Sequence, residues 1–550
     1  MPAGAGTSPR LLDGAALHEW AHTAVLQLIA HTDEINQLNV YPVADSDTGT
    51  NMLFTMRSAG AAAHEALIAS AGDVVAVATG LAAGAVHGAR GNSGVILSQI
   101  LRGLADTAAE EAQRRGALTD IDGEAFAAAL RQAVVLAIAS VGEPVPGTIV
   151  SVLQASATSA TATAAAQGPL RAVVAAASDA ALVALDRTPT QLDVLAEAGV
   201  VDAGGRGFLV LLDALTVTLT GALPSRPLYR PAPAAHTHTH DHAGASAPQF
   251  EVMYLLDGCP SGGVDLLRRR LDRLGESVAI AASTVGEQYS VHVHADDAGA
   301  AIEAATGLGA VSRIQVTALT GSAARPAGGW SRDRAVLAIV DGEGARELFG
   351  GEGACVLQPT DGPISAQQFL AGLVGTGAAQ IMVLPNGYLA AEELVAGCTT
   401  AISWGMDVVP VPAGSMVQGL AALSVHDEAR QAVDDGYTMA RAAAGVRHGS
   451  VRIAAEEAWT WAGMCKPGDG LGIAGDEVLI VSSGLTSAAK GLIDLMLTSG
   501  GELVTVLTGA GVAPEVGGDL AEHVRQEHIG VELATYHTGH RGDALLIGVE

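Results

Sequence analysis

The chain has 550 residues, of which 49% are hydrophobic and 3% aromatic, and its formal net charge is −29. This length predicts about three or four domains. The acidic charge balance excludes a nucleic-acid-binding protein, because contacts to phosphates need clustered lysine and arginine.

The sequence shows no membrane or secretion signal. No apolar run reaches the roughly 18 residues that a spanning helix needs, and residues 1–10 lack the order of a signal peptide. The four cysteines, at positions 259, 355, 398 and 465, are scattered, which is typical of a reducing compartment. We therefore expect a cytoplasmic protein with no integral membrane segment and at most peripheral membrane association.

Three blocks follow one another along the chain. Residues 1–222 show helical spacing of apolar residues with Gly and Pro between the runs, which predicts an all-α domain of about eight helices. Residues 223–249 are rich in Pro and His and predict a linker. Its alternating histidines, His236, His238, His240 and His242, allow weak metal binding, but a solvated tract is the favoured interpretation.

The pattern changes to strands after the linker. Residues 250–321 predict a small α+β domain, and residues 333–550 predict an α/β domain with a largely parallel sheet. The expected architecture is thus an all-α N-terminal domain, a small α+β middle domain and an α/β C-terminal domain.

Two carboxylates, Asp45 and Asp47, fall on a predicted turn between two helices. They are followed by Thr48, Gly49, Thr50 and Asn51, which start the next helix. Magnesium prefers such oxygen ligands, and a helix N-terminus offers backbone N–H groups to phosphate. An Asx turn that caps the helix is the alternative, and the spacing alone favours it.

Three further Gly-rich turns open predicted helices at residues 88–94, 146–148 and 201–207. The two lysines of the chain, Lys466 and Lys490, are both near its C-terminus, and no Walker A motif is present. A phosphate site in the first block would therefore depend on metal and backbone N–H groups. Alternate loops of a helical bundle share one end, so these turns can surround one opening.

The motif at residues 39–52, the Gly-Asn-Ser-Gly turn and residues 201–207 together resemble the nucleotide-binding domain of dihydroxyacetone kinases. They resemble more closely the N-terminal domain of FakA, the kinase component of bacterial fatty acid kinases, and the order of the three blocks matches that family. The resemblance implies an eight-helix barrel that binds ATP and Mg²⁺, and a DegV-like C-terminal domain. Asp45 and Asp47 would be catalytic and hold magnesium, with Asn39 as a third ligand. The implied nucleotide contacts are Thr48, Gly49, Thr50, Asn51, Asn92, Ser93, Gly147, Thr148, Asp202, Ala203, Gly204 and Gly205.

The middle block contains a candidate zinc set. His292 and His294 lie two apart and share one strand face, and Cys259 follows an earlier strand. An exposed strand face with a core cysteine is the alternative, which the residues alone favour. The resemblance implies a metal role for a Cys and a His-x-His pair here, and it favours Zn²⁺.

The resemblance implies a kinase subunit that phosphorylates the carboxylate of a fatty acid presented by a DegV-like fatty-acid-binding protein, giving an acyl phosphate. We also expect a homodimer. Two rivals are a dihydroxyacetone-type small-molecule kinase and a non-catalytic regulatory protein that binds nucleotide or lipid. The C-terminal block departs most from the family pattern, since only part of its loop after the second strand is kept.

Overall fold

A computed structural model of the chain describes residues 10–230, 248–284, 286–319, 332–360, 362–475 and 477–550. The predicted histidine tract at 236–242 lies outside these residues. Contacts divide the chain into two units, Met1–Ser331 and Arg332–Glu550. The finer boundaries near 222, 250 and 321 stay predictions.

Helices form the N-terminal part of the first unit, as the sequence predicts. In the described part of this region eight are long and one, α8, is a single short turn. Their bounds are α1 (Gly14–Gln37), α2 (Thr48–Ala69), α3 (Val74–His87), α4 (Gly91–Arg115), α5 (Gly123–Val141), α6 (Ile149–Ala165), α7 (Leu170–Arg187), α8 (Asp193–Ala198) and α9 (Ala203–Thr220). Each long helix packs on the next, and α9 packs on both α7 and α1, so the eight long helices close a ring.

Small residues allow this close helix packing. Gly84 of α3 faces the backbone of α2, where a Cβ atom would come within 2.4 Å of the carbonyl oxygen of Ser58. The abundance of Gly and Ala therefore has a direct packing role.

Two of the bundle helices, α5 and α9, are long and apolar enough to cross a membrane by length and composition. Both pack against neighbouring helices of the ring, and 83% of the apolar window of α9 is buried. Burial in a protein core accounts for the apolar character of α9.

The middle region of the first unit is a four-stranded antiparallel sheet with two helices on one face. Its elements are β1 (Phe250–Asp257), α10 (Ser261–Leu271), β2 (Gly275–Ala282), β3 (Gln288–Ala295), α11 (Ala298–Glu303) and β4 (Ala310–Ala318). The strand order is β2-β3-β1-β4. Val252, Val291 and Val293 face α10 and α11, whereas Met253 and Ala279 pack on Ala89 and Val95 of the bundle. The second sheet face therefore looks at the helical domain.

The second unit contains two larger sheets. Its elements are β5 (Arg332–Ile339), α12 (Glu343–Gly351), β6 (Cys355–Leu357), α13 (Ala366–Thr376), β7 (Ala378–Leu384), α14 (Ala391–Ser403), β8 (Asp407–Pro410), α15 (Met416–Ser424), α16 (Ala432–Gly445), β9 (Arg447–Ile453), β10 (Ala458–Thr460), β11 (Gly463–Cys465), β12 (Gly470–Ala474), β13 (Glu477–Ser482), α17 (Leu485–Leu497), β14 (Leu503–Thr508), α18 (Glu515–Glu527), β15 (Glu532–His537) and β16 (Leu545–Val549).

The first of these sheets, in the order β6-β5-β7-β8, is parallel, as predicted for an α/β domain. The second has the order β13-β12-β9-β16-β14-β15 and is antiparallel except for the β14–β15 pair. The prediction of a largely parallel sheet therefore holds only for the first half of this domain. A short connection between β12 and β13 requires the antiparallel pairing there.

Candidate functional site

The turn that carries Asp45 and Asp47 lies between α1 and α2. Asp47 is the N-cap residue of α2, but its side chain makes no capping hydrogen bond. Asn36 of α1 caps this helix instead, because its Oδ1 accepts from the backbone N–H groups of Gly49 at 2.7 Å and Thr50 at 3.2 Å. The carboxylates are thus not occupied in capping.

Asn39 braces the same turn. Its Oδ1 accepts hydrogen bonds from the backbone N–H of Thr48 at 3.0 Å and from the Thr48 hydroxyl, and its Nδ2 donates to the carbonyl of Val43 at 2.6 Å. A carbonyl oxygen has two lone pairs, and both are used here. The predicted role of Asn39 as a third magnesium ligand is therefore corrected: Asn39 positions the turn.

The N–H groups at the start of α2 are also occupied within the chain. Those of Thr48, Gly49 and Thr50 bond to the two asparagines, and that of Asn51 donates to the carbonyl of Asp47 at 2.8 Å. The expectation that this helix end offers free donors to a phosphate is wrong. Gly49 and Thr50 are buried rather than placed in the cleft beside the carboxylates.

The carboxylates line a cleft of about 30 Å³, roughly the space of one ion or water. The predicted residues that line it include Asn39, Asp45, Asp47, Thr48, Asn51, Asn92 and Ser93. Three residues of the middle region, Glu251, His292 and His294, complete the lining.

A cavity of about 740 Å³ shares Tyr41, Pro42, Thr48, Asn92 and Ser93 with this cleft. Thr148, Asp202 and Gly204 also line it, as predicted for the nucleotide pocket. Its volume is in the usual range for pockets that hold small molecules and cofactors. An ion-sized cleft thus adjoins a space large enough for a nucleotide.

Three of the predicted nucleotide contacts do not line this cavity. Gly147 turns with a φ of +82° against Gln191 and Leu192. Ala203 and Gly205 are buried in the first turn of α9, where the Gly205 N–H donates to Oδ2 of Asp202 at 2.7 Å. These residues shape the wall rather than face the space.

The carboxylates repel one another in the cleft. Asp45 is exposed at its opening, and Asp47 is half-buried. Desolvation and the charge of Glu251 raise the pKa of Asp45. Desolvation and the charges of Asp45 and Glu251 raise the pKa of Asp47 well above its usual range. A bound cation would relieve this repulsion, which is a common reason for converging carboxylates.

Glu251, His292 and His294 form a cluster whose ligand atoms all lie within 4.8 Å of one another. The Nε2 atom of His292 is 3.0 Å from Oε1 of Glu251, and its Nδ1 atom is 3.0 Å from the carbonyl oxygen of Ser277. Desolvation and the neighbouring His292 lower the pKa of His294 to about 4, so His294 is neutral at pH 7. Desolvation opposes ionisation of Glu251, but the hydrogen bond from His292 and nearby positive charges lower its pKa.

Cys259 is not part of this cluster. It is buried on the opposite face of the sheet, in the core with Val252 and Leu267. The predicted set of Cys259, His292 and His294 is therefore wrong in its first member, and the predicted zinc ion is not supported. Glu251 stands beside the histidines because β1 pairs with β3, with Glu251 opposite His294. An acidic residue beginning an apolar strand was the sequence signal that the prediction missed.

Arg268 of α10 reaches from the middle region to the helical domain. Its Nη2 atom donates to the carbonyl oxygens of Ala139 at 3.1 Å and Ser140 at 2.7 Å, near the end of α5. Residues 141–143, which follow directly, line the larger cavity, as does Arg268 itself. The middle region therefore forms part of the cavity wall, which the sequence did not indicate.

Family models match nearly the whole chain. A DAK2 domain matches residues 42–217, a FakA-like middle domain of the fatty acid kinase family matches residues 247–325, and a FakA-like C-terminal domain of the same family matches residues 335–550. Protein YloV of Bacillus subtilis is 28% identical over 96% of this chain and 98% of its own length. An uncharacterised protein of Staphylococcus saprophyticus is 27% identical over 95% and 96%, respectively.

Solved structures give weaker matches. A DegV family protein from Corynebacterium glutamicum is 14% identical over 39% of this chain and 95% of its own, with a TM-score of 0.30. A dihydroxyacetone kinase from C. freundii, in complex with AMP-PNP and Mg²⁺, is 19% identical over 39% and 36%, with a TM-score of 0.26. From the three family models in this order, the chain belongs to the FakA-like family of fatty acid kinases, and its helical domain is a kinase-type DAK2 domain.

Proposed function

We propose that this chain is an ATP-dependent kinase subunit that phosphorylates the carboxylate of a fatty acid presented by a DegV-like carrier protein. The observation that carries the proposal is the pair Asp45 and Asp47 in an ion-sized cleft that adjoins a cavity of about 740 Å³. The family matches support a phosphotransferase and make the fatty acid the first substrate to test.

The residues fit Mg²⁺ because two carboxylates converge where their own repulsion raises both pKa values. Asp45 and Asp47 would hold the ion, and Asn39 would keep their turn in place. Magnesium bound there would neutralise phosphate charge, which is the main requirement of phosphoryl transfer. No lysine is available for this purpose in the first unit, since Lys466 and Lys490 belong to the second.

The larger cavity would take the nucleotide. The side chains of Thr48, Ser93 and Thr148 supply hydroxyl groups to its wall, and Asn92 supplies an amide. In the reaction an oxygen of the fatty-acid carboxylate attacks the γ-phosphorus of ATP. The bond from that phosphorus to the bridging oxygen breaks, ADP leaves with the electron pair, and an acyl phosphate forms. The cytoplasmic location and the homodimer stay predictions.

The test uses the full chain with ATP, Mg²⁺ and a fatty-acid-loaded DegV family protein. Acyl phosphate is trapped with hydroxylamine and counted as hydroxamate. Asp45→Asn and Asp47→Asn should each lose activity by at least a hundredfold with an unchanged far-UV circular dichroism spectrum. Glu65→Gln, an exposed charge change on the same helix α2, should keep it.

Two outcomes would contradict the proposal. Full acyl phosphate formation by either aspartate variant would remove the cleft from the reaction. Phosphorylation of dihydroxyacetone without any lipid carrier, together with no acyl phosphate, would instead assign a small-molecule kinase.

A further inference from the structure

A second cluster of metal-ligating side chains lies in the second unit and includes no residue of the cleft or the larger cavity. Asp494 is near the end of α17, His523 is in α18, and His528 follows the end of α18. The Nε2 atoms of both histidines are 2.7 Å from Oδ1 of Asp494. All three ligand atoms lie within 4.8 Å of one another.

We propose that Asp494, His523 and His528 bind one divalent transition-metal ion, with zinc as the representative, and so join α17 to α18. Two imidazole nitrogens and one carboxylate oxygen are a ligand set that suits Zn²⁺, Co²⁺ and Ni²⁺. Three protein ligands leave a fourth position for water.

The two imidazole rings are arranged for convergence rather than stacking. Their centroids are 6.2 Å apart and their planes are inclined by 73°, so both Nε2 atoms point to the same carboxylate oxygen from different directions. A backbone hydrogen bond from the His528 N–H to the carbonyl of Val524 at 2.8 Å fixes the second ring beside the first.

The hydrophobic core beneath holds the two helices in place. Leu492 and Ile493 of α17 and Leu520 and Val524 of α18 are buried in one core cluster. The ligands therefore do not have to overcome the entropy of bringing two helices together, and binding energy would add directly to the stability of this unit.

The cluster is open to an ion from solvent. The side chain of Asp494 is 45% exposed, and those of His523 and His528 are 17% and 22% exposed. Within the described residues, the ion pairs of Asp494 are with these histidines, although Lys490 lies one turn earlier on α17. The net charge of −29 also favours cation binding.

The experiment uses the full chain in which His236, His238, His240 and His242 are changed to alanine, because the linker tract could bind ions of its own. Metal-free protein is titrated with Co²⁺ and read by visible absorbance, and with Zn²⁺ by calorimetry. Asp494→Asn, His523→Ala and His528→Ala should each bind one ion fewer than the parent. His448→Ala, an exposed histidine of the same unit, should bind as many as the parent.

Zinc should also raise the unfolding temperature of the parent more than that of the three variants. His523→Gln provides a second variant if His523→Ala fails to fold. Equal ion counts in the parent and the three variants would overturn the proposal and leave a hydrogen-bonded Asp–His pair. Loss of the same ion in His448→Ala, or binding only at millimolar concentration, would overturn it as well.

Discussion

Glu251 of β1 and His292 of β3 are joined at 3.0 Å between Oε1 and Nε2, on the sheet face that looks at Asp45 and Asp47. The charge of Glu251 raises the pKa of both aspartates. The middle region is therefore part of the electrostatics of the cleft, not merely a spacer between domains.

Replacing Glu251 by glutamine should weaken magnesium binding, because one of three negative charges around the cleft disappears. We expect the magnesium concentration for half-maximal ATP turnover to rise about tenfold, which corresponds to about 1.4 kcal/mol. The measurement is a magnesium titration of ATP turnover at fixed pH. Asp265→Asn, an exposed charge change on α10 of the same region, is the control and should leave the titration unchanged. An unchanged midpoint in Glu251→Gln would separate Glu251 from the ion.

Replacing Arg268 by alanine should weaken nucleotide binding with a smaller effect on turnover. The guanidinium holds the carbonyl groups of Ala139 and Ser140, and the segment that follows lines the larger cavity. We expect the KM for ATP to rise about five- to tenfold, since a buried charged hydrogen bond contributes about 1–3 kcal/mol. Steady-state kinetics test this, with the exposed neighbour Arg269→Ala as control. Equal KM values would show that the wall does not depend on Arg268.

Asp202 should make the stability of the protein depend on pH. Desolvation raises its pKa from 3.8 to about 6, although the Gly205 and Ile149 N–H groups oppose the shift. The folded state then binds the proton more tightly, so this contribution is complete below pH 4 and is lost as the pH rises through 6. The loss is about 3 kcal/mol for a shift of about two pKa units.

Asp202→Asn keeps an acceptor for Gly205 but cannot ionise. Without nucleotide it should be more stable than the parent at pH 8 by about 1–3 kcal/mol and lack the decline between pH 4 and 6. Urea unfolding followed by circular dichroism at several pH values measures both. Asp193→Asn, an exposed residue of α8, should follow the parent curve. Parallel curves for Asp202→Asn and the parent would show that Asp202 does not titrate in this range.

Two glycines of the bundle should respond in opposite directions to alanine. At Gly84 a Cβ atom would come 2.4 Å from a backbone oxygen, so Gly84→Ala should destabilise the helical domain by about 1–3 kcal/mol. At Gly60 the nearest atom would be 3.7 Å away, so Gly60→Ala should stabilise it by about 0.5–1 kcal/mol. Thermal unfolding of both variants is the measurement. A loss of stability in both, or a gain in both, would contradict the packing argument.

The sequence by itself determined which elements form and in what order. Apolar spacing showed helices up to residue 222 and strands after 250, and the short motif around Asp45 and Asp47 marked the cleft. These features are local, because helical and strand periodicity and turn residues are written in neighbouring positions.

Only the tertiary structure decided which side chains meet. It gave Asn36 and Asn39 the capping role, and it put Glu251 rather than Cys259 beside His292 and His294. Strand pairing and the packing of one sheet face on the bundle brought Glu251 to Asp45 and Asp47. Such contacts depend on register and on the choice of sheet face, and residues far apart in the chain do not reveal them by their spacing.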